Sequence, residues 1–222
     1  GTVLCTFQDS TQYYVYTPGG VPLAAGKPTI GTITQTNCSN SFSITGTLFN
    51  GISEGAAYGD DWQMASNYPI VRFTAGSKVY YGRTFNWNRT GVMTGSLPDT
   101  TQMTLPAGMP ASIYSMVVIA NGIASDPVQV SPILTATVTP LGNLDICQLG
   151  SVGLQANSGV NYTYQWKKGA QAISGATNQT YTATTAGNYK VVVTNAFGCS
   201  KTSGATTVTK SCKLVDQSIA SA

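Results

Sequence analysis

The chain has 222 residues, 42% of them hydrophobic and only 9% charged, with a formal net charge of +3, a single Glu and no His. Sparse charge with an ordinary apolar fraction excludes a disordered chain, and it excludes coiled coils and long surface helices, which need Glu, Lys and Arg in quantity. The absence of His removes Ser-His and Cys-His nucleophile pairs, imidazole acid–base catalysis and His metal ligands.

Residues 1–26 carry two strand-like runs, Val3–Phe7 and Gln12–Tyr16, and then a Pro/Gly segment, Pro18–Pro22. They show no signal-peptide pattern and already read as strand. The expectation is a mature fragment whose upstream part is missing. Residues 27–131 hold strand candidates at Phe42–Phe49, Pro69–Phe73, Val79–Trp87, Gln102–Leu105 and Ile113–Ala120. Turn signals separate them at Asn50-Gly51, Ala75-Gly76-Ser77, Pro98-Asp99, Pro106–Gly108 and Asn121-Gly122. In residues 132–212 the alternation has period two. Val152, Leu154 and Ala156 share one face of a strand, as do Tyr162, Tyr164 and Trp166, and Tyr189, Val191 and Val193. An apolar inside and a polar outside mark half-buried antiparallel strands. Short strands with turns about every 8–12 residues predict β-sandwiches. The expected architecture is all-β: an N-terminal strand extension (1–26), one sandwich (27–131), a second (132–212) and a connecting tail (213–222). The junction near Ser131-Pro132 has almost no linker, which predicts limited hinge freedom.

Charge is uneven: residues 1–135 carry a net of −1 and residues 136–222 a net of +4. The Lys of the second half are scattered and form no stripe with aromatics, so nucleic acid is not an expected partner. No stretch approaches the roughly 20 apolar residues of a membrane span. The five cysteines, Cys5, Cys38, Cys147, Cys199 and Cys212, form no CxxC pair, and without His a zinc site is not expected. Widely spaced Cys in a Thr- and Ser-rich chain read as extracellular disulfides, with one thiol free or bonded outside the fragment.

The second sandwich resembles bacterial immunoglobulin-like repeats of large surface and secreted proteins, common in bacteria using type IX secretion. The matching runs are Cys147–Leu154, Tyr164–Gly169, Ile173–Tyr181, Ala186–Val191 and Gly198–Ser200. The resemblance implies a Cys147–Cys199 disulfide. In a simple sandwich, however, Cys147 precedes the second strand and Cys199 lies in the last hairpin, at opposite ends. Cys147–Cys212 is therefore the alternative, since a bridge needs Cα atoms within about 7 Å. Cys5 and Cys38 are further candidates.

The first sandwich resembles the domain that follows a kelch-type or galactose-oxidase-like β-propeller. The runs Leu48–Val71, Tyr80–Trp87 and Val118–Asp126 carry that likeness. It implies that residues 1–17 are the last propeller strands. Copper-containing relatives supply a His ligand from this domain, and this chain has none. Together the two likenesses specify two tandem Ig-like β-sandwich domains.

Candidate sites are few. The acids Glu54, Asp60 and Asp61 in the long loop Asn50–Asn67 offer oxygen ligands suited to Ca²⁺, the one cofactor in view. The competing readings are local turn hydrogen bonds and packing against an upstream propeller. Tyr58, Trp62, Tyr68 and Trp87 can stack on sugar rings or fill a core. Trp166 belongs to the core by its place in the alternation. Tyr189, just after Ala186-Gly187, looks like a tyrosine corner. Met93, Met103, Met109 and Met116 read as core filler. Asp9-Ser10-Thr11 and Asp99-Thr100-Thr101 resemble the short O-glycosylation motif of type IX-secreting bacteria, with attachment at Ser10 and Thr100.

The function expected is that of a non-catalytic extracellular stalk or interaction module of a larger bacterial surface or secreted protein, with an adhesive role in view. The alternatives are the accessory end of a carbohydrate-active propeller enzyme and a filament subunit assembling by strand addition. Partners would be upstream domains of the same chain, other subunits or surface glycans.

Overall fold

Period-two alternation in the sequence becomes two β-sandwiches in the structure. The computed structural model describes residues 3–5, 11, 12, 14–16, 19, 21, 23–52, 68–89, 91 and 96–212. Strands β1 (Val3–Cys5) and β2 (Tyr14–Tyr16) pair antiparallel in a two-stranded sheet of their own.

The first sandwich comprises β3 (Thr29–Gln35), β4 (Ser41–Thr47), β5 (Ile70–Ala75), β6 (Lys78–Phe85), β7 (Asp99–Thr104), β8 (Tyr114–Ala120), β9 (Ile123–Ala124) and β10 (Val128–Val130). One layer runs β3–β4–β7 and the other β10–β8–β5. Strand β6 belongs to both. Its Lys78–Gly82 half pairs with β5, and its Arg83–Phe85 end pairs with β7. Gly82 turns that corner, where a Cβ would lie only 3.1 Å from Met103 Sδ. Inward residues alternate as the pleat requires: Phe42 and Ile44, Val71 and Phe73, Tyr114, Met116 and Val118 are all buried. Asn121 and Gly122 take φ of +46° and +76° between β8 and β9. This is the two-residue turn that an Asn-Gly pair favours in a hairpin.

The second sandwich comprises β11 (Val138–Pro140), β12 (Val152–Ala156), β13 (Thr163–Lys168), β14 (Gln171–Ala172), β15 (Thr180–Ala183), β16 (Gly187–Thr194), β17 (Ser200–Thr202) and β18 (Thr206–Val208). One sheet is β11–β12–β15; the other is β14–β13–β16, with β17 and β18 both on the far edge of β16. This division of antiparallel strands is the Ig-like arrangement. Trp166 sits at the centre, fully buried, with its indole N–H donating to the Asn178 carbonyl at 2.9 Å. Tyr189 forms a tyrosine corner, its hydroxyl donating to the Thr185 carbonyl at 2.8 Å. The first sandwich uses the same device, with the Tyr114 hydroxyl on the Pro110 carbonyl at 2.7 Å. Met103, Met109 and Met116 fill the first core. Met93 lies outside the described residues.

The Cys147–Cys199 bridge implied by resemblance does not form. Cys147 pairs with Cys212, with Cα atoms 5.1 Å apart. Cys199 instead reaches out of its own sandwich to Cys38, with Cα atoms 5.5 Å apart. The reason is topological. Cys147 lies where the chain runs beside its own exit, Ile146 N–H donating to the Thr209 carbonyl at 2.9 Å. Cys199 lies in the β16–β17 turn at the other end. The side chain of Cys5 lies outside what is described.

Candidate functional site

The joint between the sandwiches is built from three short segments. The first is the turn after β3, where Thr36–Cys38 forms a single 3-10 turn and Asn37 and Cys38 have φ of +49° and +53°. Two consecutive left-handed residues without glycine cost energy. They aim Cys38 at the second sandwich. The second segment is the turn Asn195–Cys199. Asn195 Oδ1 accepts from Phe197 N–H at 3.0 Å and Cys199 N–H at 2.9 Å, the hydrogen bonding that an Asn in a turn provides. This turn holds up two side chains. Cys199 makes the bridge. Phe197 enters the core of the first sandwich, edge-on to Phe42 with centroids 5.4 Å apart. The third segment is the junction itself. Ile133 packs into the first core and Leu134 into the second, so consecutive residues serve opposite domains. Ser131 is buried, and its Oγ accepts from Val160 N–H at 3.0 Å. Asn195 Nδ2 donates across the joint to Gln35 Oε1 at 3.0 Å.

A groove of about 430 Å³ follows the junction, lined in part by Ser112, Ser131, Asn157 and Tyr162. Among the described residues no charged side chain lines it. Burial pushes the Tyr162 phenol above its ordinary pKa, with the Ser131 hydrogen bond working in the other direction. The phenol therefore stays neutral through physiological pH.

The second surface lies on the first sandwich, away from the joint. Tyr68 and Trp87 form a tilted ring pair with centroids 5.5 Å apart, and they are 50% and 37% exposed. The residues beside Trp87 tie it to the sheet. Asn86 Nδ2 donates to Gln102 Oε1 at 2.8 Å, and Asn88 exchanges bonds with both the N–H and the C=O of Thr100. Near it lies a buried polar knot. Asp99 Oδ2 accepts from Phe49 N–H at 2.9 Å, while Asp99 Oδ1 lies 3.0 Å from Arg89 Nε. That second contact is ionic without hydrogen-bond geometry.

The proposed calcium set, Glu54, Asp60 and Asp61, lies outside the described residues, as do Tyr58, Trp62 and Ser10. Trp87 is at the surface, and among the described residues Tyr68 is its ring partner. Thr100 is half-buried on β7, its Oγ1 3.3 Å from Thr45 Oγ1. The Asp99 of that motif is buried in the polar knot. Among the described residues no group of three His, Cys, Asp or Glu side chains is placed to hold a metal ion. Sequence reasoning missed the Cys38–Cys199 bridge and the Phe197 plug. The only signal for the plug was an apolar ring in a hairpin turn that the sandwich's own core does not need.

No protein-family model and no curated protein matches the chain. Among solved structures, the N-terminal Ig1-2 module of the Drosophila receptor protein tyrosine phosphatase DLAR is similar at 12% identity, over 84% of this chain and 100% of that one, with a TM-score of 0.27. Domains A168–A170 of titin are similar at 14% identity, over 84% of this chain and 60% of that one, with a TM-score of 0.22. The Ig-like fold itself is read from the strand pairing.

Proposed function

We propose that this chain is a non-catalytic, rigid two-domain spacer and interaction module of an extracellular bacterial protein. The observation that carries the reading is the Cys38–Cys199 disulfide, which crosses from one sandwich to the other. A covalent clamp beside a linkerless junction removes the relative motion that two tandem domains otherwise keep. Such a clamp serves a part whose task is to hold neighbours at a fixed distance and angle. Two disulfides fit an oxidising compartment, and no helix among the described residues is long and apolar enough to cross a membrane. Small-angle X-ray scattering tests the reading. The oxidised chain is expected to fit one shape, and reduction to broaden its distance distribution. An oxidised chain that needs an ensemble of interdomain angles refutes it.

One observation favours a second reading. Among the described residues β1 and β2 pair with neither sandwich, and an isolated two-stranded hairpin is marginal in water. It would complete a sheet elsewhere, in an upstream propeller or in a neighbouring subunit. Deleting residues 1–17 is then expected to abolish assembly; assembly that survives the deletion rules this reading out.

A further inference from the structure

We propose that the outer face of β5 and β6, with Arg72, Tyr81, Arg83 and the Tyr68–Trp87 pair, binds carboxylated saccharide chains, those built from uronic acids. The pleat decides which side chains meet there. Val71 and Phe73 point into the core, so Ile70, Arg72 and Thr74 point out; on β6, Val79, Tyr81 and Arg83 do the same. The register places Arg72 directly between Tyr81 on one neighbouring strand and Val117 on the other. Tyr81 is 57% exposed.

The ligand's charge is read from Arg72. Arg72 is half-buried and makes no hydrogen bond or ion pair among the described residues; its Nε is enclosed by the protein, so the terminal guanidinium nitrogens are the ones left for a ligand. A half-buried guanidinium without a counter-charge calls for an explanation. No carboxylate among the described residues supplies one: Asp99 is held by Arg89, Asp126 by Lys27, and Asp145 by backbone N–H groups of the second sandwich. Arg83, two residues beyond Tyr81 on the same face, also has no ion-pair partner among the described residues. Guanidinium groups bind carboxylates with paired, planar geometry, which a lysine does not reproduce.

The ligand's body is read from the rings. Tyr81 and the Tyr68–Trp87 pair offer exposed aromatic surface with polar tips on either side of the Gly82 corner. Asn86 and Asn88 hold Trp87 in place before any ligand arrives, which lowers the ordering cost of binding. Sugar rings carry C–H faces that pack on such surfaces and hydroxyls that reach the polar rim of Thr74, Ser115 and Gln129. A second copy of this chain is a poor occupant, because two-fold pairing would gather the Arg72 and Arg83 of both copies in one interface. Binding here does not depend on the spacer reading.

Titration calorimetry of the full chain tests the proposal. The probes are hexamers of galacturonate, glucuronate and mannuronate, each beside its fully methyl-esterified form. At least one acid form is expected to bind, with esterification weakening it tenfold or more and added salt weakening it further. Arg72→Gln is expected to weaken binding by a similar factor, and Tyr81→Ala to do so independently, with unchanged melting curves confirming the fold of each variant. The proposal is overturned if no acid form binds, if acid and ester bind equally, or if binding survives both substitutions. Concentration-dependent sedimentation abolished by Tyr81→Ala also overturns it, in favour of a second copy. Scattering of the same variants reports interdomain geometry separately, so failure here is distinguishable from failure of the spacer reading.

Discussion

Replacing Cys38 and Cys199 together by Ala is expected to uncouple the two sandwiches. The bridge spans a sequence separation of 161 residues. For a loop of that size the chain-entropy relation gives about 5 kcal/mol of stabilisation at 25 °C. The Cys147–Cys212 bridge offers a shorter way round the same loop, roughly 120 residues, which lowers the figure by only about 0.3 kcal/mol. Without the bridge, the joint rests on three contacts besides the junction packing. Phe197, half-buried in the first core, contributes about 1–2 kcal/mol. The Asn195–Gln35 and Val160–Ser131 hydrogen bonds contribute about 1 kcal/mol each. Removing the clamp therefore takes away about as much as all that remains. In the native chain, urea unfolding is expected as one transition, with the resolved NMR signals of the Trp166 indole N–H and of the Tyr114 amide coinciding. In the variant the two probes are expected to separate, with total stability lower by about 2–5 kcal/mol. Coincident probes with a midpoint change worth less than about 0.5 kcal/mol would show that the bridge is not a coupling element.

Other substitutions probe the remaining supports. Phe197→Ala leaves both bridges intact and is expected to cost about 2 kcal/mol, below the usual range for a fully buried Phe, read as a lower urea midpoint. Tyr114→Phe deletes one corner hydrogen bond, and Tyr189→Phe deletes its corner bond together with the contact to Thr185 Oγ1, for about 1 kcal/mol per bond. Because they lie in different sandwiches, the double variant is expected to show additive losses in thermal melts. Asp145 gives a pH test. The backbone N–H of Ser211, and then that of Cys147, hold its carboxyl below the ordinary value. A depressed folded pKa stabilises above the unfolded pKa, about 4, and that stabilisation is lost as pH falls through the folded value. Asp145→Ala is therefore expected to melt below the native chain at pH 7, with the gap closing toward pH 2. A gap that persists at pH 2 contradicts the assignment.

Local pattern was legible in the sequence where one strand's own alternation decided the outcome. Trp166, Leu154 and Val191 announce their burial by spacing two, and Asn121-Gly122 announces its turn by backbone chemistry. Short strands such as Gln171–Ala172 and Ser200–Thr202 were not legible, because their pairing depends on neighbours rather than on their own side chains. The joint was the least legible part. Cys38 and Cys199 meet only because two left-handed residues and an Asn-anchored turn face each other from different domains, and no local pattern encodes that meeting. Phe197 reads as a surface residue until its socket in the other domain is known. Arg72 likewise gains meaning only from the strand register that sets it between Tyr81 and Val117.

The two bridges also fix how the chain would carry tension. Pulled from points before Cys38 and after Cys212, the covalent path enters at Cys38, crosses to Cys199 and leaves along the last strands. Most of both sandwiches then lies on side loops that the pull does not extend. Even with every strand melted, about a dozen residues can lengthen between those points, roughly 45 Å at full extension. An unbridged chain of the same span would pay out roughly 600 Å. Under load the module would behave as a short inextensible link, losing its fold long before its length.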